Sequence, residues 1–295
     1  MRRNQIRCSV QNLSDLKSVE GAALVLGSAP SLLRVDPYQF DGVVIGVGDL
    51  PVRAPGFALY DYWVCANSHF PLPWLRSHRR VMQPAPYSYL VYATSAMDRF
   101  SQRRAQRYVD RLERLEVSTS MVVYDQRHRD GLCTPQRGCC VMSRSIVADA
   151  SIQEQLRQLT GIEYSEGHSV FFHAVALAIL LGARPIYIAG VDLPFARSEY
   201  THIPHTTYTP NGSGWQRLRG MGFEIKESIF LALGWITRSD ESAFSDGKSD
   251  ILSDLSALAK AAKIGGSELV NLSPTSLLSR VDGIRNDFDF IVKKH

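Results

Sequence analysis

Leu24-Val-Leu-Gly-Ser-Ala-Pro-Ser-Leu32 reads as the end of a buried strand, a sharp exit and the start of a helix. Three apolar residues suit a strand covered on both faces, Gly27 permits the turn, and Ser28, Pro30 and Ser31 are turn and helix-start residues. A helix beginning there aims its free N–H groups and the positive end of its dipole at the strand tip, which suits an anion such as phosphate. A plain strand–turn–helix with an N-cap fits the same residues. The spacing is not G-x-G-x-x-G, and no G-x-x-x-x-G-K-[ST] occurs in the chain, so neither the usual dinucleotide fingerprint nor a Walker loop is present.

Further runs of the same kind follow. Gly42-Val-Val-Ile-Gly-Val47 is continuously apolar, as in a parallel sheet buried on both faces, and it ends at Gly48-Asp49. Phe57 to Val64 is a third candidate strand, with Asp61 and Tyr62 near its end and Asn67 beyond it. Arg79–Met82, Tyr89–Tyr92 and Met121–Tyr124 are shorter candidates. In the second half, Gly167-His168-Ser169 leads into Val170 to Leu181, a helix too rich in alanine and leucine to face water on any side. Gly182 ends that helix, and Pro185-Ile-Tyr-Ile-Ala-Gly-Val-Asp192 is a strand with Asp192 at its tip. Helices over 224–237 and 249–263, the second capped by Ser249 and Asp250, precede a last strand, Glu268–Leu272, and its tip Ser273-Pro-Thr-Ser276. A short helix over 13–19 and an arginine-rich helix over 98–116 are expected, with 125–145 an irregular loop and Asp287-Phe-Asp289 on the surface. The alternation of strand and helix predicts one α/β domain over 1–295, a Rossmann-like, doubly wound and mostly parallel sheet. The polar, aromatic stretch 193–248 is its lid or acceptor-side insertion.

Composition bounds the function. The chain has 295 residues, 45% of them hydrophobic and 21% charged, as in an ordinary globular protein. A net charge of +4 is too small to argue for nucleic acid. It suits an anionic small molecule or a loose association with an acidic membrane surface. Five cysteines without C-x-x-C spacing support neither a zinc knuckle nor a disulfide framework. Met1-Arg-Arg-Asn-Gln leads into a polar segment, and the most apolar run, 169–183, falls short of the about 20 residues that span a bilayer. A cytoplasmic protein is expected, with peripheral membrane contact and self-association left open.

Ligands of open α/β sheets sit beyond the carboxyl ends of strands. The residues expected there are Gly27, Ser28, Ala29, Ser31, Gly48, Asp49, Gly167, His168, Ser169, Asp192, Asn271, Ser273 and Ser276. They supply hydroxyls, amides and backbone donors with few cations and no metal cluster, a set that suits a sugar nucleotide better than a triphosphate. Asp192 either meets the ligand or caps the turn that follows it. The loop beyond it carries Tyr200, His202, His205 and Tyr208.

Three of these segments carry a resemblance. Gly27-Ser-Ala-Pro-Ser-Leu32 resembles the G-x-G-P-S-L opening of the bacterial sialyltransferases of glycosyltransferase family 42. His173-Ala-Val-Ala-Leu-Ala through Ile186-Tyr-Ile-Ala-Gly-Val-Asp192 resembles that family's alanine-rich helix feeding I-Y-L-x-G-[IV]-D, and Leu272-Ser-Pro-Thr-Ser276 is similar to its closing C-P-N-S. The resemblance covers roughly residues 22–50 and 165–280. It implies an inverting, metal-independent glycosyltransferase without a cofactor. Such an enzyme passes an acidic sugar, sialic acid or a Kdo-like relative, from a CMP-sugar donor to a glycan or lipid-linked acceptor. It also implies that Tyr200, eight residues after Asp192, steadies the donor phosphate, with Tyr208 a second phenol. The family's base lies just before the helix over 249–263, where this chain has Ser245-Asp246-Gly247 and no histidine. Asp246, or His202 or His205 from the loop, stands in as candidate. The second-strand asparagine of the family is replaced near Gly48. A Mg-dependent pyrophosphokinase of the hydroxymethylpterin type, with Asp49, Asp61 and Asp192 as ligands, and a non-catalytic nucleotide-sugar-binding protein are the alternatives.

Overall fold

The computed structural model describes residues 10–12, 16, 18–48, 50, 60–65, 87–94, 120–125, 152–164, 170–192 and 251–290. Within them lie nine strands: β1 (Val10–Asn12), β2 (Ala23–Leu26), β3 (Val43–Val47), β4 (Tyr60–Cys65), β5 (Tyr87–Thr94), β6 (Ser120–Asp125), β7 (Ile186–Ala189), β8 (Leu269–Asn271) and β9 (Ile284–Asn286). They form one sheet in the order β1-β6-β5-β4-β3-β2-β7-β8-β9, and every pairing is parallel. The order runs outward from β2 to β6, then restarts on β2's other side with β7, β8 and β9. The α/β parallel sheet expected from the apolar runs is therefore present, and its order changes direction between β2 and β7.

Strand geometry sends alternate residues to opposite faces. Ala23 and Val25 of β2, Ile45 and Val47 of β3, Tyr62 and Val64 of β4, and Ile186 and Ile188 of β7 share one core with three helices: α1 (Ile152–Thr160), α2 (Val170–Leu180) and α3 (Ile251–Ile264). Helix α2 is buried from Phe171 to Ile179, as its lack of a polar side requires. His173 is inside this helix, 1% exposed and edge-on to the Tyr164 ring. At the end of α2, the N–H of Gly182 donates to Ile179 O (2.9 Å) and that of Ala183 to Ala178 O (3.1 Å). This left-handed glycine cap turns the chain straight into β7. On the sheet's opposite face Leu24, Leu26 and Trp63 are fully buried, and Tyr187 stacks on Phe290 with ring centroids 4.1 Å apart.

Several expectations change. Residues 16 and 18–20 are not helical, and among the described residues ahead of β2 the regular element is the edge strand β1. Helix α1 was not expected. Asp287-Phe-Asp289 follows β9, a strand whose sequence Ile-Arg-Asn shows no apolar alternation, so this D-x-D sits at a strand end after all. The expected strand 79–82, the helices over 98–116 and 224–237 and the insertion 193–248 lie outside the described residues, as do Ser249, Asp250 and all of the expected loop 125–145 but Asp125, which ends β6.

Candidate functional site

The tips of β2 and β7 meet at Gly27 and Gly190. The Gly27 N–H donates to Ala189 O (2.8 Å) and the Ala29 N–H to Gly190 O (2.9 Å). A Cβ on either glycine would run into the carbonyl oxygen of the other, so the strands approach this closely only because both side chains are absent.

Beyond Gly27 the chain makes a five-residue 3-10 turn, Pro30–Arg34, instead of an α-helix. Its entry residue, Ala29, offers no side-chain cap. The cap comes from a residue 161 positions away: the Ser31 N–H donates to Asp192 Oδ2 at 2.9 Å. Asp192 thus caps the turn after β2, not a turn following it in the chain as the sequence suggested. The expected backbone anion cradle is corrected accordingly. The N–H groups of Gly27, Ala29 and Ser31 all have acceptors within the protein, Pro30 has none to give, and a carboxylate lies where an anion was expected.

The β8 tip joins the same network. Ser31 Oγ lies 2.7 Å from Ser273 Oγ, a buried contact. The Ser273 N–H donates to Asn271 Oδ1 (2.9 Å), while Asn271 Nδ2 donates to Ser273 O (3.1 Å) and to Asn286 Oδ1 at the end of β9 (2.9 Å). Ser276 Oγ accepts from the Leu278 N–H at 3.3 Å and caps the 3-10 turn Leu277–Arg280. Asn271, Ser273 and Ser276 have no exposed surface, so they hold the rim together from beneath. Ser28 and Ser31 are buried but lie nearer the surface, 9% and 8% exposed. The tips of β2, β7, β8 and β9 are therefore joined by one chain of hydrogen bonds.

At the β3 tip the Gly48 N–H donates to Val64 O (3.0 Å), and its carbonyl accepts the indole N–H of the buried Trp63 at 2.8 Å. Gly48 also lies against the first turn of α2, because a Cβ placed on it would sit 3.5 Å from Val170 Cγ1. Trp63 and Asn286 were not read as site residues. A buried indole needs an acceptor for its N–H, which is the only signal the sequence held for Trp63, and nothing local marks Asn286.

Asp61 is not at the ligand end. Its Oδ2 accepts the N–H of Val44, near the start of β3, at 2.8 Å. Burial pushes its carboxyl above the ordinary carboxylate range, and the hydrogen bond from Val44 opposes that shift. Of the other expected site residues, Asp49, Gly167, His168, Ser169, Tyr200, His202, His205, Tyr208 and Asp246 lie outside the described residues. No helix among the described residues is long and apolar enough to cross a membrane.

Fold and site define a doubly wound parallel α/β protein whose strand tips carry a hydroxyl- and amide-rich rim at the change of strand order, where such sheets hold their ligands. No protein-family model matches the chain, and no curated protein sequence does. Among solved structures it is similar to the sialyltransferase CstII from Campylobacter jejuni in complex with CMP-3FNeuAc. That likeness has a TM-score of 0.45 at 13% identity and covers 93% of this chain and 89% of that one. It is also similar to the monofunctional alpha-2,3-sialyltransferase Cst-I from the same organism, with a TM-score of 0.40 at 13% identity over 97% of this chain and 90% of that one.

Proposed function

We propose that this protein is a glycosyltransferase that moves an acidic sugar from a CMP-sugar donor to a glycan acceptor. What supports the reading is the meeting of three separate motifs. Ser31 of the Gly27–Leu32 segment, Asp192 of the Ile186–Asp192 segment and Ser273 of the Leu272–Ser276 segment were each matched to one family pattern. They come within hydrogen-bond distance at the change in strand order. A rim of hydroxyls and amides suits a nucleoside monophosphate.

In this reading departing CMP gains phosphate charge, which the phenols of Tyr200 and Tyr208 steady with donated hydrogen bonds. The segment Gly167–Ser169, just ahead of α2, supplies further backbone donors at the positive end of an 11-residue helix. The acceptor hydroxyl gives its proton to Asp246, His202 or His205 as it attacks the anomeric carbon from the face opposite the leaving phosphate, inverting that centre. No metal is needed for this charge balance. The pyrophosphokinase alternative loses one of its three carboxylates, because Asp61 bonds to β3 away from the strand tips.

Thermal-shift measurements with CMP, CDP, CTP and ATP, each with Mg²⁺ or EDTA, test the reading. We expect CMP to raise the melting temperature equally in both, a ligand at 100 times its Kd adding about 2.7 kcal/mol. Stabilisation only by a triphosphate with Mg²⁺ would overturn it in favour of the kinase. CMP-sugar binding without transfer or hydrolysis, across an acceptor panel, would leave a binding protein.

A further inference from the structure

Asn286 stands on the edge strand β9 and is exposed, yet its side chain bonds into the buried rim. Its Nδ2 donates to Ser279 O (3.3 Å), which turns its Oδ1 toward Asn271 Nδ2 (2.9 Å). Asn271 has no exposed surface, and a side-chain amide can be seated two ways round. Two acceptors, Asn286 Oδ1 and Ser273 O (3.1 Å), hold its nitrogen, so its own oxygen is left for the Ser273 N–H (2.9 Å). Ser273 is just as buried, and its hydroxyl has one partner among the described residues, Ser31 Oγ at 2.7 Å. A buried O–H without an acceptor is costly, so the Ser273 hydrogen goes to Ser31. The Ser31 hydrogen is then the one left unspent, on the less enclosed residue of the pair, 8% exposed against 0%.

We propose that Asn286 is a positioning residue for the rim: it anchors the Asn271 amide and, through Ser273, holds the Ser31 turn with its hydroxyl hydrogen free to be donated. This rests on the nucleotide reading of the rim and adds a residue that acts on it from the sheet's margin. Asn271 and Asn286 face each other in the β8–β9 register, so the anchor is set on the strand ladder itself. Ser273, the other acceptor for the Asn271 nitrogen, is the group that the amide has to hold. Without Asn286 the amide is therefore tied only to the tip it steadies, and Ser273 and Ser31 can shift together. β9 then has a task beyond closing the sheet, and it reaches the rim through one side chain.

Asn286→Ala and Asn286→Asp test this, with amide hydrogen exchange on the free proteins and calorimetry of CMP binding as the two readouts. The alanine removes the acceptor. The aspartate keeps one for Asn271 Nδ2 and loses only the bond to Ser279. We expect Asn286→Ala to speed exchange of the Ser273 and Ser31 N–H groups about tenfold, while Val25 and Ile188, paired inside the sheet, keep their protection. CMP should bind this variant about tenfold more weakly, with the melting temperature within about 4 °C of wild type. Asn286→Asp should exchange like wild type and bind CMP within about threefold of it. A residue that merely fastens β9 would release the Asp287 N–H, which donates to Asn271 O (3.0 Å), and leave Ser31 protected; that pattern overturns the proposal. Unchanged CMP affinity in Asn286→Ala, or equal losses in both variants, overturns it as well and leaves the nucleotide reading standing. If the wild type binds no CMP, the nucleotide reading fails, and the exchange comparison alone decides whether Asn286 positions Ser31.

Discussion

Gly27 and Gly190 show what one missing methyl group can mean. Their backbones touch where β2 meets β7, so an alanine at Gly27 has to push a carbonyl aside instead of a flexible side chain. Gly182 is the useful contrast: it has a φ of +77° but open space around its missing Cβ. We expect Gly27→Ala to cost about 3 kcal/mol, the upper range for overpacking, and Gly182→Ala about 1 kcal/mol of left-handed strain. Urea denaturation measures both, and equal losses would contradict the close approach. Asp61 gives a pH-dependent case. Its folded-state carboxyl titrates above the unfolded one, chiefly through burial, so the folded form holds its proton more tightly. Stability attached to this group is therefore greatest at low pH and is lost as pH rises through the raised folded value. Asp61→Asn, which can still accept from Val44, should melt higher than wild type at pH 7, with the gap closing as the pH falls below the ordinary carboxylate range. A gap that is constant with pH would count against the shift. At this scale the sequence showed which residue types lie at the tips. It could not show that Asp192 bonds to Ser31, because the pairing spans 161 residues and has no local mark.

Helix α2 carries the largest share of the described core. Phe172 is completely buried on it and stacks near Tyr164, whereas Leu159 of α1 is 55% exposed. Phe172→Ala should lower stability by about 3–5 kcal/mol, while Leu159→Ala should stay within about 0.5 kcal/mol; comparable denaturation midpoints for the two would be inconsistent with this packing. Elements buried on both sides, β2, β3, β7 and α2, were legible because continuous apolar runs leave few alternatives. The two outer strands were not. Val-Gln-Asn and Ile-Arg-Asn are only three residues long and lie at the two margins of the sheet, so their pairing is imposed by the neighbouring strand and leaves no pattern in their own composition.

Across the whole molecule, β9 closes one margin of the sheet and guards it with charge. Arg285 reaches Glu268 (3.3 Å) and Asp287 (3.2 Å), an arrangement that discourages further strands from adding. Ending the chain after Asp282 would remove β9, the Asn286 partner of Asn271 and the Phe290 ring on Tyr187. We expect that truncation to melt lower and to associate on size-exclusion chromatography; a monomer of unchanged stability would show that β9 is dispensable.

The strand at the change of order has another consequence. β2 is made early in the chain, but one neighbour, β7, comes from the second half, and the Ser31–Ser273 contact joins residues 242 positions apart. During translation β2 emerges with one flank bare and keeps it so until β7 has left the ribosome. The nascent polypeptide can complete its rim only after Ser273 and Asn286 have emerged, so occupancy by a small molecule would report that these late segments have been made and docked.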